Sequence, residues 1–165
     1  MKKDIRFGHI RRESWPDPNL LKPFFIANRG QEWTYLGGND CWGMSIGGLY
    51  GTEARPAYGQ NGETGPNTQV EANLTMWGSP GLGVLIYYSR YGGGLSDHYY
   101  TVSDRSKLNQ WVTGLHDTPL PVGLFIPFRD AWPAVKEFME TEGELPKSIE
   151  WIAARDLPAG TFPDP

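Results

Sequence analysis

The clearest signal in the chain is an alternation that begins at Gln69. Val70, Ala72, Leu74 and Met76 are apolar, while Gln69, Glu71, Asn73 and Thr75 between them are polar. This is the two-residue period of a strand with one buried face. Gly78-Ser79-Pro80-Gly81 interrupts the pattern, and residues 82–91 resume it as a second β-prone run. The two runs are predicted to pair as an antiparallel hairpin. Gly92-Gly93-Gly94 ends that hairpin, and residues 98–102, rich in Tyr and β-branched side chains, add the next strand of the same sheet.

The period then changes. Between 130 and 142, Trp132, Val135, Phe138 and Met139 recur at helical spacing, and Lys136, Glu137 and Glu140 face the other way. Asp130 is the expected N-cap, which places Pro133 in the first turn. Gly143 suits a left-handed residue past the helix end, and Pro146 prevents continuation. Ile149, Trp151 and Ala153 then alternate with Ser148, Glu150 and Ile152 as a final strand. Asp104 is expected to cap a short helix carrying Leu108, Trp111 and Val112 on one side.

Upstream, Trp15-Pro16-Asp17-Pro18, Gly37-Gly38, Gly47-Gly48 and Asn61-Gly62 break the chain too often for long helices. Short strands are expected there at 24–26, 32–36 and 44–49. The tail, 157–165, carries three prolines and reads as irregular. No fixed-period repeat is present. The predicted architecture is one α+β domain spanning 1–165, a mainly antiparallel sheet with one long C-terminal amphipathic helix packed on it, followed by a final strand. Within it, 1–65 reads as a Gly/Pro-rich extension with short strands and 66–156 as the core.

Composition narrows the function. A chain of 165 residues suits a single hydrophobic core. The net charge of −4 argues against sequence-independent nucleic-acid binding and favours a basic partner. Cys41 is the only cysteine, which excludes an internal disulfide and fits a reducing compartment. The residues after Met1 form no apolar leader, and the longest apolar run, 84–88, is too short to span a bilayer. A cytoplasmic protein without a membrane partner is expected. Metal-ligand pairs, phosphate loops and nucleophile elbows are missing from the sequence, so no metal, cofactor or catalytic residue is assigned.

Ile126-Pro127, Ala134, Glu137-Phe138, Gly143, Pro146, Ile149 and Trp151 form an ordered series behind the hairpin at 81–91 and Tyr99-Tyr100. Over roughly the C-terminal half, this series resembles a deaminase-associated immunity family of bacterial polymorphic toxin systems. The resemblance implies a single α+β domain, encoded beside a toxin, that binds the toxin and blocks it without chemistry of its own. The expected function is therefore an immunity protein that neutralises a cognate interbacterial toxin. That toxin is expected to be a DNA or cytidine deaminase with a basic nucleic-acid-binding surface, inhibited by occlusion of its active site.

Trp132, Phe138, Gly143, Pro146 and Trp151 read as structural: helix face, helix stop, and an indole buried against the helix. Tyr87, Tyr88, Tyr91, Tyr99 and Tyr100 cannot all be buried in a sheet whose successive residues point to opposite faces. Tyr91, Asp97 and Tyr99 are therefore candidate toxin contacts, together with the acidic Glu71, Glu137 and Glu140. Glu142 and Glu144 extend that acidic cluster, whose plain reading is a solubilising face.

Two other readings are open. Seven Trp and eight Tyr on a Gly-rich β scaffold suit a carbohydrate-binding module. Cys41 with His98 suits a thiolate hydrolase, although Gly43, Gly47 and Gly48 oppose the helix that normally lowers such a thiol's pKa. Cys41 also reads simply as a small buried apolar group.

Overall fold

The computed structural model describes residues 2–49 and 70–163. The Asn61-Gly62 break, Gln69 and the expected boundary at 65/66 lie outside them. Among the described residues, strands β1 (Lys2–Phe7), β2 (Ile10–Arg12), β3 (Cys41–Leu49), β4 (Val70–Ser79), β5 (Gly83–Gly92), β6 (Leu95–Thr101) and β9 (Trp151–Ala153) form one sheet in the order β2-β1-β3-β4-β5-β6-β9. Every pairing in it is antiparallel. A small second sheet pairs β7 (Trp111–Thr113) with β8 (Pro119–Pro121). The predicted α+β fold, hairpin included, is the fold observed.

Two faces of the large sheet have different fates. On one, Ile5, Phe7, Met44, Ile46, Leu74 and Ile86 pack beneath α4 (Phe128–Glu140), whose Ala131, Ala134, Val135 and Phe138 are fully buried. On the other, a smaller cluster of Leu85, Leu108, Leu120, Leu124, Phe125 and Ile152 covers one end only. Burial in β9 therefore does not follow the one-sided alternation expected. Ile152, read as outward-facing, is buried in the second cluster, whereas Trp151 is half-buried on the helix side. The Trp151 indole lies 6.1 Å from the Tyr88 ring and donates to the Pro146 carbonyl at 2.7 Å.

Three expectations are corrected. Residues 24–26 and 33–36 are helical, in α2 (Pro23–Ile26) and α3 (Trp33–Gly37, with Glu32 as its N-cap), and are preceded by α1 (Pro18–Leu21). Pro18 and Pro23 sit in the first turns, where a missing N–H costs nothing, and the Asp17 carboxylate caps α1 by accepting from Asn19 N–H at 2.9 Å. Aromatic content suggested strands, but Phe25 and Trp33 are aromatic because they are core, and tertiary packing overrides propensity. Residues 105–107 form only a 3-10 turn, capped by Asp104 as expected, and Trp111 and Val112 belong to β7. Finally, α4 starts at Phe128 with Pro127 as N-cap. Asp130 instead lies inside the first turn, where its charge still suits the dipole, and Pro133 sits further into the helix on the exposed side.

The helix stop is built from two residues. Glu142 holds the left-handed position at φ 55°, and Gly143 follows at φ 93°. Gly143 N–H reaches back to Phe138 O at 2.9 Å and Glu142 N–H to Met139 O at 3.4 Å, the two bonds of a Schellman motif. A non-glycine residue is unusual at that first position. Here the Glu142 carboxylate accepts from Lys3 Nζ at 3.0 Å and Trp15 Nε1 at 3.1 Å, which ties the helix end to β1 and to the loop after β2.

Candidate partner-binding surface

Away from the second cluster, no helix lies over the far face of the sheet among the described residues. Strand register sets its side chains in rows. Arg6, Gly43, Thr75, Tyr87 and Tyr100 are successive partners across five strands, and Asp4, Ser45, Asn73, Ser89 and His98 form the next row. Gly43 leaves a shallow groove of about 210 Å³ between Arg6 and Thr75. Further along the face, Tyr87 OH and His98 Nδ1 share a 2.5 Å hydrogen bond, and Ser96 Oγ lies 2.9 Å from His98 Nε2. Hydroxyls, amides and aromatic rings on a pre-formed sheet are the surface chemistry of protein recognition.

The expected contact residues fall in three places. Glu71 and Tyr91 are register partners on this open face, and Tyr91 is 44% exposed. Burial, and then the neighbouring Glu71 charge, raise the Tyr91 pKa. Asp97 and Tyr99 lie on the opposite face and line a hollow of about 250 Å³ with Arg90, Glu144 and Leu145. Glu137 and Glu140 are on α4.

The two faces meet at an edge. β9 pairs only with Tyr99, Tyr100 and Thr101, so residues 95–98 of β6 are the sheet border among the described residues. Glu144, in the loop after α4, reaches Arg90 Nη1 at 2.9 Å and brings the helix end to this border.

Much of the acidic cluster has internal work. Glu137 accepts Lys147 N–H at 2.8 Å and Ser148 N–H at 3.2 Å, which fixes the turn beyond Pro146. Burial alone would raise its pKa, and these N–H groups reverse the shift downward. Glu142 and Glu144 are engaged as described above. Glu140 faces Lys136 at 3.7 Å along the exposed flank of the helix, a weak pairing.

The hydrolase pairing is not assembled. Cys41 is on β3 and His98 on β6, with β4 and β5 between them, roughly 14 Å of sheet at the usual strand spacing. Burial first, and the Asp40 charge second, push the Cys41 thiol up to about 11, away from a reactive thiolate.

The sequence model of the family described as Immunity protein Imm1 matches residues 54–153. The chain belongs to the Imm1 immunity protein family. No curated protein and no solved structure matches the chain.

The Imm1 match takes in β4 to β9 and α4, and so extends upstream of the resemblance seen in the C-terminal half. Strands β1 to β3, which complete the open face, precede it. Among the described residues of this Imm1 protein, no helix is long and apolar enough to cross a membrane. The open face is the feature the sequence analysis missed. Its signal was present in β3, where the small Gly43, Ser45 and Gly47 alternate with Trp42, Met44 and Ile46.

Proposed function

We propose that this Imm1 protein captures its cognate toxin one to one in the cytoplasm and covers the toxin's active site, with no catalytic step of its own. The toxin in this reading is a nucleic-acid deaminase with a basic substrate surface. Family membership is the observation that carries the immunity role. The resemblance of the 126–151 signature to deaminase-associated immunity proteins supports the choice of toxin. The net charge of −4 supports steering by a basic partner.

The contact surface in this reading is the β6 border. A partner wrapped around it meets Glu71 and Tyr91 on the open face and Asp97 and Tyr99 on the other, with Glu137 and Glu140 as an acidic flank that guides approach. The test uses the toxin domain encoded beside this gene. Deamination of a single-stranded oligonucleotide is expected to fall to zero at one equivalent of the immunity protein. A toxin that forms a complex but shows another chemistry sinks the deaminase assignment alone.

A further inference from the structure

A second feature lies on the open face, at the end where the small sheet closes over it. Asp40 is 6% exposed and lines a cavity of about 280 Å³ with Thr34, Trp77, Thr113, Leu115 and Phe125. Its Oδ2 accepts Leu115 N–H at 2.8 Å. Its Oδ1 has no hydrogen-bond partner among the described residues. Burying a carboxylate with one oxygen unmet is costly unless a donor arrives.

The surroundings are arranged around that carboxylate. Gly114 is bare at the point of closest approach, since a Cβ there would lie 2.4 Å from Asp40 Oδ2. His116 Nε2 lies 2.9 Å from Asn39 Oδ1, which also accepts Cys41 N–H, so the 114–116 loop is tied to the start of β3 on both sides of Asp40. Trp77 and Phe125 add ring walls, and a planar guanidinium combines charge, several donors and affinity for aromatic faces. Leu115 in the lining is 50% exposed, and Val112, Leu120 and Phe125 line the same cavity, so apolar side chains stand beside the charged base. A buried charge ringed by apolar contacts is the arrangement of an interface anchor. Cys41 and Trp77 are register partners next to the Gly43 and Thr75 pair, so the cavity continues the open face.

We propose that this cavity receives an arginine side chain of the toxin, with its guanidinium bound to Asp40. The inference rests on the immunity reading for the partner's identity, while the cation pocket itself does not. Thr34 and Asp40 precede the family match, whereas Trp77, Leu115 and Phe125 lie within it, so the pocket joins the family portion to the part of the chain before it.

Two arms test it. N-acetyl-arginine methylamide is titrated into the full chain and followed by the amide of Leu115 and the indole N–H of Trp77 in nitrogen-resolved NMR spectra. Saturable shifts are expected in the native chain, with none in Asp40→Asn and none from the N-acetyl-glutamate analogue. Thr34→Trp, an exposed change that plugs the mouth, is a second variant with the same expected loss of shifts. Circular dichroism verifies that both variants fold. Absence of saturable shifts in the native chain overturns the cation pocket, whatever the toxin does.

In the second arm, Asp40→Asn is expected to weaken binding of the adjacent-gene toxin about 10- to 100-fold, as for a lost charged hydrogen bond. Equal affinity for both chains overturns the assignment of the pocket to the toxin. A native chain that binds arginine but not the toxin refutes the immunity reading and leaves the pocket standing.

Discussion

Gly143→Ala is expected to be among the most damaging single-methyl additions in this protein. At φ 93° a side chain carries backbone strain, on the order of 1–2 kcal/mol for a left-handed residue. The added Cβ would also lie 2.7 Å from Ile46 Cγ2 and 3.0 Å from Ala72 Cβ. Ile46 and Ala72 are both 0% exposed, so neither can move aside, and overpacking of this kind costs about 1–3 kcal/mol. Together the two effects predict a loss of about 2–5 kcal/mol, which in a chain of this size lowers Tm by about 4 to 20 °C. Gly81→Ala is the matched control. Its φ is +80° and nothing lies within 4 Å of the new Cβ, so it carries the strain without the clash. Urea unfolding followed by tryptophan fluorescence should therefore rank Gly143→Ala well below Gly81→Ala. Equal losses would refute the packing argument.

Tyr88→Phe removes the hydroxyl that donates to the Gly143 carbonyl at 2.8 Å, and the same urea assay should show a loss of about 1–3 kcal/mol. Folding favours the neutral forms of Cys41, raised from 9.0 to about 11, and of Tyr88 and Tyr100, raised from 10.0 to about 12. Their contribution is complete below those lower values and fades as pH climbs through the upper ones, so chemical denaturation repeated from neutral to alkaline pH should show stability falling across that window. In Cys41→Ala the earliest part of that alkaline fall should disappear, while neutralisation of the toxin stays intact; lost neutralisation in a folded variant would revive a role for the thiol. Tyr91→Ala should leave Tm nearly unchanged, since the ring is 44% exposed, yet speed toxin release enough to weaken affinity by tenfold or more in surface-binding kinetics.

The parts of the fold legible in the sequence share one trait, an apolar stripe meeting a single neighbour. In β4, Val70, Ala72, Leu74 and Met76 are all buried, and the helix face of Trp132, Val135, Phe138 and Met139 shares one core with the last three of them. Strand β1 carried the same two-residue period in Ile5 and Phe7, but four of its six residues are charged, which hid a strand central enough to extend the sheet. Helices α1 to α3 are unreadable in the sequence because four or five residues hold no full period; prolines start α1 and α2, and Leu21, Phe25 and Trp33 anchor the three in the core. Glu142 at the left-handed position could not be foreseen, since Lys3 and Trp15, which hold its carboxylate, are more than 120 residues away in sequence. The Asp40 cavity was hidden for the same reason, with Leu115 75 residues from the carboxylate it meets. Residue type alone does not say that Glu71 and Tyr91 share a face while Asp97 and Tyr99 lie across the sheet from them.

The central claim is stoichiometric capture of a toxin by a protein without chemistry of its own. Titration calorimetry of the purified chain into the toxin domain encoded by the adjacent gene, paired with residual toxin activity at each point, tests it most directly. Heat and activity should both reach their endpoints at one equivalent. Activity that persists at excess immunity protein, or that declines catalytically at far less than one equivalent, would contradict the account.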